Sequence, residues 1–393
     1  MKKIQIKKIS ENVFYAHNPN MYTGIVSMWF RAGSVFDGKT HGIAHLFEHL
    51  LLQKTNKHKN GRYEHLESEG IEAYAHTYKE FAYVYHVSKP DTVLKSIALL
   101  KEGVFDVFFD TDVLEHEKRV ILREIKERTL HEKMWDTLYA NLYKNDSRQY
   151  PSLGTKNSIN QITLEQVKQF FNQKYTQNNC VYVIFTPELL SNTKKYQIKK
   201  LTHTNIKKDR DDLSASTLLP RSHKVVVEDG QNIRYALSFR LPKIMTKKQK
   251  SMVYFIASIF SGNWNSLLTK KLRAEHPYTY WTHNSVLVTY KEKSFHFYFD
   301  IAKKDHKEVD TLIDGVFSDF SKIIKDEKKF IVYKRIFATN IHRESEDIKN
   351  IMFDIGSALC VGEEPLLSHE ILQYISSVTS HDVVRYWSEI TQN

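Results

Sequence analysis

Gly42-Ile43-Ala44-His45-Leu46-Phe47-Glu48-His49-Leu50-Leu51 is the stretch on which the reading of the whole chain turns. Its apolar positions, Ile43, Leu46, Phe47, Leu50 and Leu51, recur at helical spacing, which predicts a buried helix over Gly42 to Gln53. Residues four apart on a helix share one face about 6 Å apart along the axis, so His45 and His49 can direct both imidazoles at one ion, with Glu48 beside them. That is a zinc pair plus a base, in the order His-x-x-Glu-His. Chance supplies the pattern about 0.06 times in a chain of this length and His content. Two helical histidines can also be plain core residues. Yet two His and a Glu on an apolar, buried helix would be left unsatisfied without a partner.

Outward from this helix, strand and helix signals come in blocks. Tyr22 to Arg31 is a β-rich run ending in the turn Ala32-Gly33-Ser34. Strands are predicted over Ile71 to His76 and Phe81 to Ser88, then a helix after Pro90-Asp91. A long helix follows from Asp112, as N-cap, to about Tyr143. A catalytic zinc site needs a third protein ligand and a position left for water. The long helix offers two carboxylates, Glu117 and Glu124, seven residues or two turns apart and so pointing the same way, with Val120 and Ile121 near them. Taken singly, either one is more ordinarily part of an exposed charged face.

The second half repeats the first. Ile162-Thr163-Leu164-Glu165-Gln166-Val167 and Val378-Thr379-Ser380-His381-Asp382-Val383 share one pattern, apolar residue, Thr cap, polar turn, apolar helical face. The strand Ile25 to Arg31 is matched by Arg234 to Arg240 at a nearly equal offset. The reading is an ancient duplication: an N-terminal αβ domain over 1–190, a basic linker over 191–222 and a C-terminal αβ domain over 223–393. The N-terminus alternates charged and apolar residues where a signal peptide would have its apolar core, predicting a first strand in a cytoplasmic protein. Cys180 and Cys360 sit in apolar surroundings, as reduced core residues do. Any metal must then be held by His and carboxylate. No run approaches the ~18 apolar residues of a bilayer span. The net charge of +11 is spread along the chain, its densest run, Lys194 to Lys208, lying in the expected linker, so a nucleic-acid partner is not expected.

The motif together with its flanks, Gly42 to Leu51, resembles the pitrilysin/insulinase metallopeptidases, the inverzincins, and the separation of 75 residues between His49 and Glu124 is similar to the family's. The resemblance covers nearly the whole chain and is to the half-length branch that includes the mitochondrial processing peptidase subunits. It implies an α+β fold of two duplicated αβ domains, each a mainly antiparallel sheet covered by helices. It implies further that His45, His49 and Glu124 hold Zn2+, that Glu48 is the general base and that Glu117 is a supporting acidic residue. In the other half, Leu272-Arg273-Ala274-Glu275-His276-Pro277-Tyr278-Thr279-Tyr280 resembles the segment in which the family's Arg and Tyr reach the substrate, so Arg273 and Tyr280 are the implied substrate-binding pair. Pro277 stands for the family's Gly, Ala274 for its frequent Glu, and Glu72 for the usual Asn of the substrate-pairing strand.

The implied activity is a zinc-dependent endopeptidase hydrolysing short or unfolded peptides in a closed chamber, such as a leader or signal-derived peptide. The partners implied are the peptide and a second chain, in a homodimer or a heterodimer with a related subunit. The alternative is a non-catalytic partner or scaffold subunit, but such chains usually lose a ligand and this one retains all three.

Overall fold

The computed structural model describes residues 4–59, 61–143, 146–202, 222–288 and 293–391. Six strands form the first sheet: β1 Gln5–Ser10, β2 Val13–His17, β3 Gly24–Phe30, β4 Glu72–Thr77, β5 Ala82–Ser88 and β6 Cys180–Thr186, in the order β1-β2-β6-β3-β5-β4. Every neighbouring pair is antiparallel except β2 with β6. β3 and β6 are buried from end to end, and their largely apolar sequences, interrupted in β3 only by Ser27, are those of strands covered on both faces. β4, at the sheet edge, alternates instead: Ala73 and Ala75 are buried while Glu72 and His76 are exposed. The second sheet has four antiparallel strands, β7 Ser222–Asp229, β8 Asn232–Arg240, β9 His283–Leu287 and β10 Ser294–Ala302, in the order β7-β8-β10-β9. The fold is α+β with mainly antiparallel sheets, as the family resemblance implies.

The helices that matter to the site are α1 Ile43–Leu51, α2 Tyr63–Ser68, α3 Val93–Phe105, α4 Thr111–Lys126 and α5 Leu130–Leu142. The helix expected to run unbroken from Asp112 to Tyr143 is two. α4 is capped not by Asp112 but by Asp110, whose carboxylate accepts from the backbone N–H groups of Asp112 and Val113. It ends at Lys126, and α5 restarts on a capping box in which Thr129 and Glu132 satisfy each other's backbone N–H groups. Sustained helix formers hid the break, because Thr129 is a cap signal that a propensity reading averages away. Val120, expected to pack near the glutamates, is exposed; Ile121 is fully buried.

Two compact units divide the chain, and neither is one continuous stretch. The first comprises Met1–Glu127, Tyr150–Ala215 and Ile351–Pro365; the second comprises Arg128–Gln149, Ser216–Asn350 and Leu366–Asn393. The crossing segments have clear packing reasons. α5 buries Met134 and Leu138 with Ala236 of β8, so it joins the second unit. The helix Ile348–Cys360 brings Phe353 and Gly356 against Trp29 of β3, so most of it belongs to the first. The expected linker begins with a helix, Asn192–Thr202, whose Ile198 and Thr202 are buried; residues 203–221 lie outside the described residues. The repeated Thr pattern yields the same device twice: Thr163 with Gln166, and Thr379 with Asp382, each form a reciprocal cap behind a buried Ile162 or Val378. Cys180 and Cys360 are both buried free thiols.

Candidate metal centre

α1 enters the site through an unusual N-terminus. Gly42 adopts φ 94° and gives no side-chain cap. A Cβ there would strike Ile159 and the Leu153 carbonyl, so both the conformation and the space require glycine. Asp37, five residues upstream, supplies the missing acceptor: its carboxylate takes the N–H groups of Gly42 at 2.6 Å and Ala44 at 3.1 Å, where the helix dipole favours negative charge. Burial nevertheless dominates and lifts the Asp37 carboxyl to about 7, against the pull of those two N–H groups and of Lys79.

From this anchored start, helical spacing puts His45 and His49 side by side, their rings 4.8 Å apart. α4 passes beside α1 and delivers Glu124: its Oε2 lies 3.9 Å from Nε2 of His45 and 3.9 Å from Nε2 of His49. Among the described residues these three are the one group able to hold a metal ion, with donor atoms all within 4.8 Å of one another. Glu117, two turns earlier on α4, is buried. It accepts from Nδ1 of His49 at 2.9 Å and from Nε2 of Gln53 at 3.0 Å. That bond fixes the His49 tautomer and leaves Nε2 as the lone-pair donor.

Burial shapes the charges. It holds His45 neutral, pushed down to about 3, with His49 adding to the effect. Burial also lowers His49, but the Glu117 bond and the charges of Glu48, Glu117 and Glu124 outweigh it, and His49 ends above its ordinary value. Glu48 is raised, chiefly by burial; Thr77 beside it opposes the rise and Glu124 adds to it. Thr77 stops short of a side-chain hydrogen bond: neither its Oγ1 nor Glu48 Oε2 has a partner, and His45 Nδ1 has none either. Two imidazoles and one carboxylate match the three protein ligands of a catalytic zinc site, and a buried carboxylate oxygen without a donor lies beside them. The residues fit zinc.

Arg273 and Tyr280 lie in the second unit. The guanidinium sits 4.5 Å from the Tyr280 ring centroid, and Tyr280 is 82% exposed. Sequence reading missed Gln53, which buttresses Glu117 from the turn after α1, and Asp37. Gln53 stands four residues beyond His49, a spacing that could have flagged it; Asp37 acts through a loop and leaves no periodic signal.

Two sequence models of one peptidase family match in tandem. Residues 12–156 match the insulinase model, peptidase family M16, and residues 161–336 match the model described as the M16 inactive domain. The beta subunit of the mitochondrial-processing peptidase of Neurospora crassa is 29% identical over 171 residues, 42% of this chain and 36% of that one. An uncharacterized zinc protease of Bacillus subtilis is 27% identical over 170 residues, 42% of this chain and 41% of that one. The match thus spans well under half the length of these curated relatives. Two solved structures share the fold: a protease from Helicobacter pylori (TM-score 0.82, 18% identical, 99% of this chain and 97% of that one) and a peptidase M16 inactive domain from Pseudomonas fluorescens (0.80, 17%, 99% and 95%). With both family models matched in order along its length, and the His-x-x-Glu-His helix inside the first, the chain belongs to the insulinase family of peptidases, family M16.

Proposed function

We propose that this chain is a zinc metalloendopeptidase acting on short or unfolded peptides. The observation that carries the reading is the convergence of His45, His49 and Glu124 beside a buried Glu48 whose Oε2 has no partner. A zinc ion held by those three residues supplies Lewis-acid activation of water and of the scissile carbonyl. Glu48 takes the proton from the attacking water and returns it to the leaving amine; burial, which raises its pKa, makes it a better base than a surface carboxylate. Glu117 holds the His49 ring in place through Nδ1. Arg273 and Tyr280 bind the peptide or the oxyanion that develops at its carbonyl, and the open edge of β4 offers backbone groups to an extended chain. A cytoplasmic location and pairing with a second similar chain complete the proposal.

The decisive test is Glu48→Gln. The purified variant is expected to keep about one zinc per chain while hydrolysis of an unfolded peptide falls by at least about 100-fold. His45→Ala, His49→Ala or Glu124→Ala should lose the metal itself. Full activity in Glu48→Gln ends the mechanism. For pairing, a Glu48→Gln chain mixed with an Arg273→Ala chain should regain activity if sites are completed between subunits; no recovery despite verified subunit exchange rejects completion in trans.

A further inference from the structure

Arg273 stands on a turn the chain has widened. Lys270–Glu275 is π-helical, a geometry that is rare and concentrates at functional sites. The backbone N–H groups of Tyr278 and Thr279 both fold back onto the Leu272 carbonyl, at 3.0 and 3.1 Å. Three aromatic rings then surround the guanidinium, whose central carbon lies 4.6 Å from the Trp264 centroid, 4.5 Å from Tyr280 and 5.5 Å from Trp281. Among the described residues no protein acceptor takes a hydrogen bond from the Arg273 guanidinium. The rings are themselves displayed, Trp264 being 54% and Tyr280 82% exposed.

Ring faces attract the cation but accept none of its in-plane N–H bonds well. A guanidinium held this way keeps its fork of donors for a planar partner with two oxygens, and the group that matches the fork is a carboxylate. We propose that Trp264 and Trp281 are positioning residues that hold Arg273 ready for a carboxylate of the bound peptide, so that peptides carrying one are selected. The inference rests on the peptidase reading, but it is read out by binding, with cleavage measured only to separate its failure from that reading's.

The probes are three peptides of about a dozen residues with one common sequence lacking Asp and Glu: one with a free C-terminal carboxylate, one amidated, and one amidated with a single central Glu. Calorimetric titration into the Glu48→Gln protein should show the free-carboxylate peptide binding about tenfold or more tightly than the amide. Recovery with the Glu peptide would place the source in a side chain; without it, the source is the chain terminus. In Trp264→Ala and Trp281→Ala the carboxylate-to-amide ratio should collapse to within about threefold of one, and Trp264→Phe should restore it. A merely structural loss would weaken all three peptides alike and leave the ratio standing, which would overturn the positioning role. Equal binding of all three, with all three still cut by the unmodified protein, overturns this inference alone. Absence of both binding and cleavage overturns the peptidase reading with it.

Discussion

Glu117 stands outside the cluster of His45, His49 and Glu124 but bonds His49, and its carboxylate is the acceptor that decides which imidazole nitrogen is free. Neutralising it as Glu117→Gln keeps an oxygen near Nδ1 but removes the charge that makes the ring a stronger donor. Zinc affinity should fall about 10- to 100-fold in a chelator competition, with the fold intact. A second residue-scale expectation concerns His296 of β10, buried between Ser238 and Ser294. Burial holds its folded pKa down to about 3, whereas an unfolded His titrates near 6.5. Below about 6.5 the unfolded chain therefore binds a proton that the folded chain refuses, so stability is full above that pH and is lost as pH falls towards 3. The slope from this one group approaches about 1.4 kcal/mol per pH unit. His86, buried and pressed by Arg62, pulls the same way. Urea titrations from pH 7 to 4 should show a shallower fall for His296→Gln than for the parent chain. At this scale the imidazole pair was legible because i, i+4 spacing alone dictates it. Glu117 and Glu124 were indistinguishable by spacing; only their different depth beside α1 gives one a ring to hold and the other a place facing both Nε2 atoms.

Elements were legible where period and boundary signals agreed. α1 and its buried face follow from the spacing of Ile43, Leu46, Phe47, Leu50 and Leu51, and β4 and β5 fall within a residue of their expected starts. The break between α4 and α5 was not, because its signal, the Thr129 and Glu132 capping box, sits among sustained helix formers, and the burial of Met134 and Leu138 with Ala236 of β8 leaves no mark on local period. The helix Ile348–Cys360 carries a comparable constraint in Gly356, where an added Cβ would collide with the Trp29 indole. That indole is itself fixed, stacked 4.0 Å from Tyr83 and donating to Ser27 Oγ. Gly356→Ala should therefore destabilise by about 1–3 kcal/mol. Gly315, on the helix His306–Ile324, has open space around the same added atom. Gly315→Ala should stabilise by about 0.5–1 kcal/mol. Paired denaturant midpoints check both signs.

Over the whole molecule, the presence of two αβ units was foreshadowed by repeated Thr caps and matched strands, but their interleaving was not. Nothing in composition or periodicity marks residues 128–149 or 351–365 as belonging with distant sequence, since that depends on which apolar faces find each other after folding. The interleaving sets an order of events during synthesis. A ribosome releases the chain from its N-terminus, and the first unit lacks Phe353 and Gly356 over Trp29 until residues 351–365 have emerged. Until then the unit that holds His45, His49 and Glu124 is an incomplete object whose Trp29 lacks the cover of Phe353. A chain truncated after residue 345 should be cut rapidly in pulse proteolysis and should bind a hydrophobic dye, where one extended to residue 365 should resist in its N-terminal half. Equal resistance of the two would show that Trp29 does not wait for its cover.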